Sequence, residues 1–212
     1  MTMPQRFYLA FARRSGAFAR AQSGSVTVEA AVMAPLILAF FGFTFMWFDA
    51  FRVKNEVLKA TYSVSDMISR EQQELPEQYF AGLHGVFDYM IRSNDETTLR
   101  VTTVKCTKDC DDDAKRELEL CWSWASPGLA EHTATTFGKF EKAIPLMVLG
   151  DTVVVTEGSV EYTWLFDWWL EDLEIRNTIV TRPRFAAQVA LGDQRCYGDG
   201  GTSGGGEDDE GL

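Results

Sequence analysis

From Ala30 to Phe48 the chain carries no charged residue, and the run is dense in leucine, isoleucine, valine and phenylalanine. At ~1.5 Å rise per residue such a run predicts a helix of about 28 Å, close to the thickness of one bilayer core. Beyond Phe48 the pattern changes without stopping. Val53, Val57, Ala60, Val64 and Ile68 recur at spacings of four and three, while Lys54, Asn55, Lys59, Ser63, Asp66 and Arg70 fill the other positions. That is one face of an amphipathic helix. No glycine or proline interrupts Arg52 to Glu74, so a single helix is expected from about Val28 to Gln72, apolar all round in its first half and striped in its second. Pro35 lies in the apolar half, where it removes one backbone donor and is expected to bend the helix.

A second helix is expected over Glu77–Arg92, with Tyr79, Phe80, Leu83, Phe87, Met90 and Ile91 on its buried side. The period then shortens. Leu99–Val104 and Leu118–Trp124 alternate or are β-rich and predict strands, joined by a charged turn, Lys108–Lys115, rich in aspartate. A calcium-binding spacing is missing from that turn, and a solvated loop is expected. Thr133–Ala143 predicts a short helix closed by Pro145. Thr152–Trp164 predicts the strongest strand, with a bulge or bend near Gly158. Thr178–Thr181 predicts a last strand. Phe166–Leu170 is an aromatic cluster, expected to be a core contact, and from Gly198 the chain is Gly- and acid-rich, expected to be a disordered tail. The fold class expected is α+β, a long N-terminal transmembrane and amphipathic helix packed on a small antiparallel sheet in the manner of a pilin. Its parts are a basic leader (1–24), a transmembrane helix (25–51), an extracytoplasmic domain (52–197) that includes the helix extension, and the tail (198–212).

Charge adds direction. Four arginines (Arg6, Arg13, Arg14, Arg20) and no acidic residue precede Ser25, whereas the rest of the chain holds 16 basic against 31 acidic side chains, a net −15. Positive charge flanking a membrane helix stays on the cytoplasmic side, which predicts an inner-membrane, single-pass protein with its N-terminus in the cytoplasm and its body in the periplasm. An acidic body argues against nucleic-acid binding, which needs cations to displace phosphate counterions. Export would place Cys106, Cys110, Cys121 and Cys196 where disulfides persist. Four cysteines allow three full pairings, and the sequence does not choose among them. A metal site at Cys106 and Cys110 lacks a nearby histidine to complete it, and no cofactor is expected. His84 and His132 fall in no nucleophile or metal motif, so no enzyme is expected. His84 is placed as a half-exposed packing residue on the second helix and His132 in a solvated loop.

The N-terminal signal differs from a secretory peptide, whose apolar region is shorter and ends at a small-x-small cleavage site. Here Gly24-Ser25 is followed by Glu29 at the mouth of the apolar helix, and Pro35 lies six residues further on. A carboxylate there either caps the helix dipole or pairs with an amine freed at Ser25 on a neighbouring subunit. The stretch from Gly24 through Glu29 to Pro35 and Leu38 resembles the TadE/TadG-like pseudopilins of the Tad/Flp branch of type IV pilus systems, and Lys59–Arg70 and Thr181–Phe185 look like an alphaproteobacterial version of these proteins. The resemblance implies that a prepilin peptidase cuts between Gly24 and Ser25, and that Glu29 supplies the assembly contact to a neighbour's N-terminal amine. Other pilin subunits, the inner-membrane Tad machinery and the peptidase are the implied partners. Ala30 stands where the major Flp pilin usually has tyrosine, and the body is far larger than that subunit's. A minor pseudopilin or assembly component, of the kind that is carried into a surface pilus or primes its assembly, is therefore the expected role. An unprocessed, membrane-anchored extracytoplasmic binding domain is the alternative.

Overall fold

The computed structural model of the protein describes residues 25–92, 95–138, 143–164 and 172–196. The described residues fall into two compact units, divided between Phe48 and Asp49. Helix α1 (Ser25–Ser69) starts in the first and ends in the second. In the first unit every described side chain from Val26 to Phe41 is exposed. The helix runs on through Pro35 without a break.

The second unit is α+β. After α1 come α2 (Glu77–Met90), β1 (Thr97–Lys108), β2 (Glu117–Ala125), the short α3 (Ala134–Phe137), β3 (Thr152–Tyr162) and β4 (Leu173–Thr181). The four strands form one antiparallel sheet in the order β2-β1-β3-β4. Because successive side chains of a strand point to opposite faces, each register pair assigns two residues to one face. Leu99, Val101, Val154 and Val160 lie on the face covered by α1 and α2, in a core with Val53, Val57, Ala60, Val64, Ile68, Phe80 and Phe87. All five expected stripe residues of α1 are at most 1% exposed. On the other face Val104, Cys106, Val153 and Val155 pack beneath Phe137, Ile144 and Met147.

α1 has the expected length but begins and ends about three residues earlier, while β1, β2 and β4 are longer than expected and β3 stops at Tyr162, short of Trp164. α1 stops at Ser69, where Arg184 N–H caps the Ser69 carbonyl, rather than at Gln72. α2 ends at Met90, and α3 covers Ala134–Phe137, while residues 139–142 of the stretch expected to be helical lie outside the described residues. β1 reaches from Thr97 to Lys108, its start held by pairing with β3 and its last residues by pairing with β2, and β4 begins at Leu173 because pairing with β3 extends it beyond its β-rich stretch. No bulge occurs at Gly158: its pairing with Leu99 and Asn177 is in regular register. The glycine answers a different need. A Cβ there would come within 2.6 Å of the Phe87 ring and of Thr61 Oγ1, so both helices approach the sheet through the space its missing side chain leaves. The expected leader, the aromatic cluster at 166–170 and the tail from Gly198 lie outside the described residues.

Candidate assembly helix and its supporting body

The described part of α1 begins at Ser25, with no acidic residue in its first turn. Glu29 follows within the next turn, exposed and with no ionic partner among the described residues. Ser25 and Glu29, four positions apart, fall on one side of the helix. Gly24 lies outside the described residues. Thus Ser25, Glu29 and Pro35 share one helix end, while the body's four cysteines are placed elsewhere.

Past Glu29 the surface is apolar on every side: Val32, Leu36, Leu38, Phe40, Phe43, Phe45 and Phe48 are all more than half exposed. The polar exceptions are satisfied internally, since Thr44 Oγ1 donates to the Phe40 carbonyl at 2.8 Å. In lipid that bond is needed, because no water is present to accept it. Phe43 and Trp47 stack with ring centroids 6.1 Å apart. By length and composition α1 is able to cross a membrane, and it is the one such helix among the described residues.

The second unit opens with an ionic clasp. Asp49 accepts from Arg52 at 3.0 Å and from the Tyr162 hydroxyl at 2.9 Å. Burial, and then the hydrogen bond to Asp49, push the Tyr162 phenol up to about 12. Trp164 meets Tyr162 edge to face, 5.1 Å between centroids. At the other end of the helix Ser65 and Thr181 share a hydrogen bond of 2.8 Å, and Arg184 reaches Asp66 at 2.9 Å.

The cysteines form two disulfides, Cys106–Cys110 and Cys121–Cys196, and none is free. The first ties the end of β1 to the turn that follows it, where Asp109 takes a positive φ of 45°. The thiols that a metal at Cys106 and Cys110 would need are thus consumed. The second bridge straps the chain after β4 onto edge strand β2, and Trp122 Nε1 donates to the Val189 carbonyl beside it at 2.9 Å. In the acidic turn, Lys115 pairs with Asp112 and holds its carboxyl below the usual range.

One cluster carried no signal in the sequence. Arg100, Glu157 and His132 are buried together, with Glu157 Oε2 accepting from Arg100 Nε at 2.6 Å and lying 2.8 Å from His132 Nε2. Arg100 also donates to the Ala130 carbonyl at 3.0 Å, and His132 N–H donates to Ser123 Oγ. His132 is therefore 7% exposed rather than solvated in a loop, because the register sets Arg100 opposite Glu157 and the returning chain must cover that pair. Its three members are separated by 25 to 57 positions, so only the pairing of β1 with β3 brings them together. His84 is half-buried as expected, its Nε2 3.1 Å from the Thr97 carbonyl.

No family model, curated protein or solved structure matches the chain. Fold and helix define a class: an α+β body with a four-stranded antiparallel sheet and two disulfides, preceded by one helix long and apolar enough to span a membrane.

Proposed function

We propose that the chain is a minor pseudopilin or pilus-assembly component of a Tad-type system, cut by a prepilin peptidase after Gly24 and assembled through α1. The observation that carries this reading is the exposed, apolar start of α1, with Ser25 at its first position, Glu29 in the next turn and Pro35 six residues on. A carboxylate without a partner at the mouth of a lipid-facing helix is costly to bury alone. An ammonium at a neighbour's Ser25 offsets that cost and sets the axial register between subunits. The N-terminus stays in the cytoplasm, and the body lies outside the inner membrane, where its disulfides persist. The role is structural. His132 is held in a buried polar network and His84 against Thr97, so neither is presented as a catalytic base.

Two variants test the reading in cells that contain the peptidase. Gly24→Ala is expected to migrate more slowly than wild type on a gel, because it retains residues 1–24. Equal mobility, with the leader present in both, favours the unprocessed anchored domain instead. Glu29→Ala is expected to be cleaved normally yet to fail in assembly, and normal pili from that variant would remove the register role.

A further inference from the structure

The two ends of edge strand β2 are treated differently. From Cys121 onward its outer side is occupied by the Cys121–Cys196 bridge and by the bond from Trp122 to Val189. From Glu117 to Leu120, no backbone hydrogen bond other than the pairing with β1 is made among the described residues. The pairing of this segment with β1 shifts register at both of its ends, between Thr103 and Val104 and between Cys106 and Lys108, and leaves Leu118–Leu120 in step between the two irregularities. Among the described residues its outer edge opens on a cleft of about 550 Å³, lined also by Thr107, Arg116, Ala134 and Phe137.

The side chains along this edge alternate. Glu117 and Glu119 are exposed, while Leu118 and Leu120 are half-buried and pack against the cluster that holds Phe137. Among the described residues the Glu117 carboxylate pairs with Lys108, at 3.1 Å, in a pair whose side chains are both 62% exposed and so weakly held. The Thr107 hydroxyl donates to the Glu117 carbonyl. A strand added to this edge sets one face of its side chains over the leucines and the cleft, and the other beside the two glutamates.

We propose that Glu117–Leu120 is a strand-addition site for an extended segment of a partner protein in which apolar and basic residues alternate. Main-chain hydrogen bonds supply the grip, the cleft takes the apolar side chains, and the two carboxylates select lysine or arginine between them. The site does not depend on processing at Gly24, because every group in it belongs to the body.

The test uses the full chain in detergent at physiological salt and a labelled peptide, Lys-Val-Lys-Val-Lys-Val, with Lys-Lys-Lys-Val-Val-Val as a control of equal charge. The alternating peptide is expected to bind at least tenfold more tightly than the control and to slow amide exchange at Glu117–Leu120. The double variant Glu117→Lys/Glu119→Lys, with unchanged disulfides and thermal unfolding, is expected to lose that peptide and bind Glu-Val-Glu-Val-Glu-Val instead. Equal binding of the two lysine peptides, binding that survives the charge reversal, or no binding of the alternating peptide at millimolar concentration overturns the site.

Discussion

Gly158 shows how much one missing carbon decides. Phe87 and Thr61, both fully buried, occupy the space above it, and an added methyl would stand 2.6 Å from each. Gly158→Ala is therefore expected to destabilise the body by about 1–3 kcal/mol through overpacking. Denaturant unfolding of the detergent-solubilised chain measures this, and pairing the change with Phe87→Leu is expected to recover part of the loss. Tyr162 sets a second expectation. Its folded value, about 12, stands above the roughly 10 of an unfolded tyrosine, so its contribution is complete below pH ~10. It is lost as pH rises towards 12. Between those limits wild type is expected to lose stability more steeply than Tyr162→Phe, and parallel unfolding curves would remove the Asp49 clasp as its source. The role of Gly158 was hidden in the sequence: a glycine in a β-rich run signals a bulge as readily as a close approach, and only the position of Phe87 separates them.

Among the elements, the helical half was the more legible. The stripe from Val53 to Ile68 has its own period, and all five of its residues are in the core. β1, β2 and β4 were recognised but cut short, because the ends of β1 and β4 are held by pairing with neighbouring strands rather than by their own composition, whereas β3 stops at Tyr162 before the expected Trp164. The cysteine pairing was beyond reach, since the Cys121–Cys196 bridge depends on where the chain returns after β4. The two bridges are expected to differ in worth. Closing a separation of 75 residues restricts the unfolded chain far more than closing one of 4. Chain-entropy estimates give about 4 kcal/mol for the long loop and about 2 kcal/mol for the short one. Replacing Cys121 and Cys196 together by serine is thus expected to cost about twice as much as replacing Cys106 and Cys110, measured by urea unfolding. A larger loss from the short bridge would contradict this ordering.

Across the whole molecule, the candidate site was legible where it is linear in sequence and hidden where it is assembled by folding. Ser25, Glu29 and Pro35 lie on one helix, so their spacing alone places them. Arg100, Glu157 and His132, and the cleft beside β2, exist only once the sheet has formed. The proposed function accordingly stands on the linear part: four arginines ahead of Ser25, the Gly24-Ser25 pair, and an apolar helix in which Glu29 has no ionic partner among the described residues. Its most direct test is the mass of the mature N-terminal peptide, taken from membranes of cells that contain a prepilin peptidase. The account predicts a chain that begins at Ser25, with residues 1–24 absent. A chain that still carries Met1 or any part of the leader in those membranes would contradict it.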